Sequence, residues 1–242
     1  VRVIDDFSGG HERNLAHLAG NPDLMVEHAD IRGLAPGSAL FQDACFVFHF
    51  AGIGDIVPSI EKPIDYMDIK VYGLPVNAIR IFNAYGTRVR TTGAYGAVFG
   101  VFFKQKLAGK PFTVVGDGTQ GRDFLYVTDV ARAFLAAAET EHTGEIYNLG
   151  AGNPQTVNRL VELLGGEVVY IPKRPGEPDC TWADISKITR DLGWAPVVSF
   201  EEGVGRMTAE IENWRDAPLW DPASIEQATK TWFQYMAPTD KT

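Results

Sequence analysis

A chain of 242 residues that is 45% hydrophobic and 22% charged has the make-up of a globular protein. It is long enough to bury a sizeable core, as one large domain or two small ones. Its net charge of −9 (22 Lys and Arg against 31 Asp and Glu), with no clustered basic run, excludes a nonspecific nucleic-acid binder, which needs grouped cations along a phosphate backbone.

A small anion held by a few placed arginines stays open. No apolar run approaches the roughly 20 residues that a membrane span needs, and no signal-peptide pattern opens the chain. The first stretch, "VRVIDDFSGG", begins inside a β-branched strand that ends in two acids, so residues upstream of it are expected. "HERNLAHLAG" carries Leu15 and Leu18 at helical spacing, with Gly20 as its stop. "LMVEHADI" reads as a second strand and the almost wholly apolar "CFVFHFAG" as a third, which makes Cys45 a buried thiol and His49 a packed strand residue. Cys45 and Cys180 have no metal-ligand spacing and no disulfide framework is supported, so a reducing, cytoplasmic compartment is expected. Continuous apolar strands separated by helices imply a parallel sheet covered on both faces.

A second run of elements begins at the strand "VNAIRIF". "GAVFGVFFKQKLAGK" reads as a helix with Val98, Val101, Phe102 and Leu107 on one side and Gly109 as its stop. "PFTVVGDG" is a strand entering a turn, and "RDFLYV" another strand. "TDVARAFLAAAETEHTG" is a helix capped by Thr128 or Asp129 and stopped near Gly144. "EIYNLGAG" returns as a strand, followed by the helix "TVNRLVELLGG" and the strand "EVVYIP". The helix "SFEEGVGRMTAEIENW" opens with a Ser199/Glu202 capping box. The class is α/β.

Three motifs carry chemistry. Asp5 and Asp6 lie just past a strand's carboxyl end, where an acid of a dinucleotide fold binds the adenosine ribose; in isolation such an acid is more often a turn residue. An acid there also disfavours a 2′-phosphate by charge. "GDGTQGRDFLYVTDVARAF" places Arg122 directly before a strand. Its guanidinium either pairs with an acid at the strand edge or grips a diphosphate, for which a planar fork is well suited. "RPGEPDCTWADISKITRDLGWAP" adds Arg174 in a Pro/Gly-constrained turn. Two arginines on separate loops are what a nucleotide-sugar diphosphate needs. Asp184 reads as a helix cap rather than a catalyst, and Trp182, Trp194 and Trp214 as core aromatics. The five histidines show no metal spacing, and there is no nucleophile elbow.

Taken in order, "VIDDFSGG", "HADIR", "VFHFAG", "SIEKPIDYMDI", "RIFNAYG", "GDGTQGRDFLYVTDVA", "YNLGAG" and "RPGEPDCTWADISKITRDLGWAP" resemble the nucleotide-sugar epimerase/dehydratase branch of the extended short-chain dehydrogenase/reductase family. The resemblance covers nearly the whole chain. It implies a Rossmann-like doubly wound parallel sheet with a smaller C-terminal α/β substrate domain. Residues 1–90, joined by part of 120–150, would hold NAD, and residues 91–242 would mainly hold the nucleotide sugar. Asp5 and Asp6 match the ribose acid and its neighbour, with Ser8 and Gly9 in the same cofactor turn. Asp30 and Ile31 match the adenine pair, and Phe50, Ala51 and Gly52 the segment along the cofactor. On the substrate side Asn83 follows Phe82 in the segment that contacts the sugar diphosphate. Arg122 and Arg174 match the diphosphate arginines, Ala97, Val98, Val115 and Phe124 fall in the uridine segments, and Glu177 matches an acid near the nucleotide ribose. The implied activity is NAD-dependent epimerisation of a UDP-sugar at C4 through a 4-keto sugar, by a cytoplasmic homodimer without nucleic-acid, membrane or metal partners. A 4,6-dehydratase is the alternative, and a non-catalytic nucleotide-sugar or dinucleotide binder the reading from another class.

Two features of the family pattern have no counterpart in these residues: the G-x-x-G-x-x-G loop and the segment with the catalytic Ser/Thr and Tyr-x-x-x-Lys. Tyr66 and Lys70 have that last spacing, but Tyr66 falls in the helix after "FHFAG" and Lys70 beside "VYGLPV". They are read as a coincidental pair, which leaves the catalytic residues unassigned.

Overall fold

The computed structural model describes residues 1–35, 37–50, 76–89 and 98–236. They belong to two compact units, Val1–Gly54 with Arg88–Arg90, and Asp55–Thr87 with Thr91–Thr242.

The first unit is built on one parallel pair, β1 (Arg2–Asp5) and β2 (Met25–His28), with Asp5 opposite His28. A 3-10 helix over Glu12–Leu18 joins them. Asp30 and Ser38 cap two further 3-10 turns, each accepting a backbone N–H two residues on. Arg2 fastens this region by donating to the carbonyls of Ala39, Leu40 and Gln42. None of the described residues of this unit is buried.

The second unit holds the core. β3 (Ala78–Ile81) and β4 (Ala84–Tyr85) lead to α1 (Val98–Leu107) and β5 (Phe112–Val115). β6 (Gly121–Arg122) and β7 (Leu125–Tyr126) run into α2 (Val127–Glu139) and β8 (Ile146–Leu149). β9 (Gln155–Thr156), α3 (Val157–Leu164), β10 (Val168–Ile171) and β11 (Cys180–Thr181) follow. The chain closes with α4 (Ser186–Leu192), α5 (Phe200–Ala209) and α6 (Pro222–Met236). The pairs β3–β8, β4–β7, β5–β10 and β6–β11 are all parallel, and among the described residues only β6–β9 is antiparallel. Parallel strands with intervening helices make this an α/β fold.

Two apolar clusters explain why the elements sit where they do. One joins Phe102 and Phe103 of α1, Phe112 and Val114 of β5, Leu160 of α3, Met207 of α5 and Trp214. The other joins Tyr147 and Leu149 of β8 to Val130 and Ala133 of α2, with Ile188 of α4 and Trp194. Tyr147 and Leu149 are two apart on a strand and therefore share a face.

Several expectations are corrected. "CFVFHF" forms no strand: residues 45–50 are all exposed, Cys45 and His49 among them, and no described strand pairs with them. "RDFLYV" is two short strands, since Phe124 N–H turns back onto the Arg122 carbonyl at 3.0 Å and aims Asp123 inward. α2 starts from Tyr126 without a side-chain cap; Asp129 lies inside its first turn, fully buried, and accepts from the backbone of Val197 and Val198 and from Arg132. Ser199 caps α5 as expected, but the reciprocal half of the box is missing because the Glu202 carboxylate goes to Arg206 at 2.6 Å. Trp194 and Trp214 are buried, whereas Trp182 is 67% exposed. Just past β11, Ala183 takes the inward position, its N–H bound to Asp123, and its neighbour Trp182 points outward.

Candidate active site

The second unit gathers four of the candidate substrate residues through one short ladder. β11 pairs with β6 so that Thr181 lies opposite Arg122, and the Thr181 hydroxyl donates to Asn83 Oδ1 at 2.7 Å. Asn83 lies two residues past β3 with a φ of +30°, a conformation that turns the chain between β3 and β4. Arg122 Nη2 donates to Glu177 Oε1 at 2.7 Å, and Nη1 to the carbonyls of Gly121 and Pro178. Arg174 Nη1 lies 3.8 Å from the other Glu177 oxygen. Two guanidiniums from separate loops thus share one carboxylate. All three side chains are at least four-fifths buried, and together they carry one net positive charge. Glu177 Oε2 is buried and makes no hydrogen bond among the described residues.

A cleft of about 190 Å³ lies beside this cluster, lined by Val115, Gln120, Lys173 and Glu177 among others. Lys173 pairs with Asp179 at its mouth, which holds the ammonium pKa above its ordinary value. Of the uridine-segment residues, Val115 reaches the cleft. Phe124 instead stacks on Phe200 at 5.1 Å inside the core, and Val98 packs against the same cluster. Asp123 is a supporting residue that the pattern reading missed. Fully buried, it accepts from the N–H groups of Ala151, Gly152 and Ala183, and so ties the β8 and β11 loops to the residue next to Arg122. An acid enclosed by an apolar strand was its one signal in the sequence.

In the first unit, Asp5 Oδ1 accepts from Phe7 N–H at 2.7 Å, and Asp6 Oδ1 from the N–H and hydroxyl of Ser8. The Ser8 hydroxyl, then its N–H, lowers the Asp6 pKa. The second oxygens of both acids accept no hydrogen bond among the described residues, and Gly9 has open space around it, so this turn fits a ribose diol. Asp30 differs: Arg32 clamps both its oxygens, at 2.7 Å for the shortest contact, and lowers its pKa. Ile31 is half-buried and Phe50 exposed. Ala51, Gly52, Tyr66, Lys70 and Ala97 lie outside the described residues. Among the described residues no group of acids, histidines and cysteines is placed to hold a metal ion, and no helix is long and apolar enough to cross a membrane.

The model of the NAD dependent epimerase/dehydratase family matches residues 69–150, the stretch that contains Asn83, Arg122 and Asp123. UDP-glucuronate 4-epimerase of Thermodesulfobacterium geofontis is 36% identical over 150 residues, 59% of this chain and 45% of that protein. Over these residues the chain is similar to the NAD dependent epimerase/dehydratase family. A second relative, the putative UDP-glucose 4-epimerase of Methanocaldococcus jannaschii, is 35% identical over 150 residues, 60% of this chain and 48% of that protein. The chain therefore spans a little under half the length of these two relatives. Among solved structures, the UDP-glucuronic acid 4-epimerase of Bacillus cereus, crystallised with UDP-glucuronic acid and NAD, superposes with a TM-score of 0.76. That match is 26% identical and covers 88% of this chain and 91% of the other. The α/β fold is thus Rossmann-like, as in that epimerase.

Proposed function

We propose that the protein acts in the NAD-dependent epimerisation of a nucleotide-diphosphate sugar, a UDP-sugar, at C4 by way of a 4-keto sugar. The observation that carries this reading is the pair Arg122 and Arg174 converging on Glu177 beside a cleft. The two relatives named above, which are UDP-sugar 4-epimerases by name, support the same choice. A diphosphate entering between the two guanidiniums would take over bonds now made to the carboxylate, and bidentate contacts to an anion are among the stronger ones. Glu177 Oε2, which makes no hydrogen bond among the described residues and lies 3.8 Å from Arg174 Nη1, would accept from a ribose hydroxyl. Asn83, tied to Thr181, would face the sugar end of the diphosphate. Asp5, Asp6, Ser8, Gly9, Asp30, Ile31 and Phe50, with Ala51 and Gly52, form the proposed NAD set. When bound, NAD supplies reversible hydride acceptance at C4. The homodimeric state and the cytoplasmic location belong to the same reading.

Calorimetric titration with UDP tests it. Wild type should bind, and Arg122→Ala should weaken binding at least tenfold, since one charge-assisted contact contributes about 1.5–3 kcal/mol. Equal affinity of Arg122→Ala and wild type would remove the reading. Conversion of UDP-glucose followed at C4 by NMR separates the enzyme from a binder without turnover.

A further inference from the structure

We infer that the C-terminal helix α6 is part of the sugar-nucleotide site, with Trp232 as a positioning residue for Arg174; this rests on the site reading above. The sequence gives α6 no obvious task, yet every part of it is fastened. Gln105 of α1 donates to the carbonyl of Trp220 at 2.7 Å just before the helix. Asp221 and Ser224 then exchange hydrogen bonds across its first turn, around Pro222 at the position where a missing N–H is harmless. Ile225, Thr229 and Trp232, spaced at four and three residues, form its buried face. At the far end Trp232 Nε1 donates to the Pro175 carbonyl at 2.8 Å, and the Arg174 guanidinium carbon lies 5.7 Å from the centre of the indole. One side chain thus holds both the backbone of the turn and the face of the guanidinium within it.

A long arginine side chain in open solvent would lose rotamer freedom on gripping an anion. An indole that supports its face has already fixed it, and the cation–π contact itself is worth roughly 0.5–2 kcal/mol according to burial. The turn 174–177 carries both Arg174 and Glu177, so α6 would set the reach of two site residues at once. Neither residue is near α6 in sequence, which is why the pattern of the chain gives no hint of the link.

The test is a double-mutant cycle read by UDP titration on the full chain. Trp232→Leu should weaken UDP binding about tenfold. Trp232→Phe keeps an aromatic face, loses only the donor to Pro175, and should weaken binding less. The double variant Arg174→Ala/Trp232→Leu should bind no more weakly than Arg174→Ala alone. A purely structural Trp232 would give either unchanged affinity in Trp232→Leu or losses that multiply in the double variant, and either result overturns the proposal. If wild type binds no UDP, the site reading fails separately, and amide exchange decides the positioning claim. The amides of Lys173, Arg174, Gly176 and Glu177 should then exchange faster in Trp232→Leu, with β5 unchanged, and equal protection would overturn it. Should Trp232→Leu not fold, the same two readouts on Trp232→Phe carry the decision.

Discussion

At Tyr85 the phenol is enclosed by Phe99, Phe124, Tyr126 and Phe200, and its hydroxyl reaches the Phe200 carbonyl at 3.4 Å. Burial, and then the field of Tyr126 and Glu201, pushes its pKa well above the ordinary phenol value of about 10. The folded state thus keeps a proton that the unfolded chain releases, so this contribution is full below about pH 10 and is lost as pH rises above it. Tyr85→Phe should flatten the alkaline limb of the denaturation midpoint; an unchanged limb would sink this account. Gly203 meets the same ring. A Cβ there would stand 1.9 Å from the Tyr85 oxygen. Alanine is favoured over glycine in a helix by about 1 kcal/mol, but a ring packed on four sides cannot retreat, and overpacking costs about 1–3 kcal/mol. Gly203→Ala should therefore lower stability, and a gain on urea denaturation would contradict the packing. Asp123→Asn tests the support behind Arg122. It replaces a carboxylate that accepts three N–H groups with an amide that presents hydrogens to some of them, at a cost of about 2–3 kcal/mol by denaturant titration. These three positions were poorly legible in the sequence, because each depends on what faces it from a distant element.

Helix ends show where sequence reading succeeds between elements. Gly109 and Ser199 perform their expected parts, Gly109 with a φ of +62° just past α1 and Ser199 by accepting from Glu202 N–H, because both signals act within one turn. Asp184 accepts from Ser186 N–H at the start of α4, close to the cap expected of it. The break in "RDFLYV" was invisible for the opposite reason: what bends it is the demand of Asp123 for amides from β8 and β11. For the same reason the sequence could name Arg122, Arg174 and Glu177 by resemblance but could not show that they share a carboxylate. Gln105 illustrates how much one polar group can tie together. Its amide donates to Thr113 Oγ1 and the Trp220 carbonyl and accepts from Thr113 N–H, linking α1, β5 and the approach to α6 while fully buried. Gln105→Leu has nearly the same volume but strands those partners in an apolar core. Leaving buried groups unsatisfied costs about 1–3 kcal/mol each. Chemical denaturation should show a loss of at least about 2 kcal/mol, whereas a neutral effect would mean that water reaches these atoms.

Across the molecule the two units differ in how their ladders are protected. β5 and β10 pair under Phe102, Leu160 and Phe112, all nearly inaccessible. β1 and β2 pair with no buried residue among the described part of their unit, and Phe46, Val47, Phe48 and Phe50 stand 42% or more exposed there. Opening a segment costs little when it uncovers little apolar surface, so local unfolding free energy should follow burial rather than the number of hydrogen bonds. Two parallel strands of four residues also fall short of what an independent sheet needs in water. Amides of Arg2–Asp5 should therefore exchange with solvent at least about 100-fold faster than those of Phe112–Val115, a gap of about 2.7 kcal/mol at 25 °C. NAD is the instructive perturbation: a ligand held by Asp5 and Asp6 stabilises the state that binds it by mass action, and at 100 times its dissociation constant adds about 2.7 kcal/mol. Saturating NAD should then slow exchange of the Arg2–Asp5 amides and leave Phe112–Val115 where they were. Equal protection of the two strands without NAD would refute the burial argument. Unchanged exchange of Arg2–Asp5 at millimolar NAD would refute the assignment of these acids to the cofactor while leaving the diphosphate site of the second unit standing.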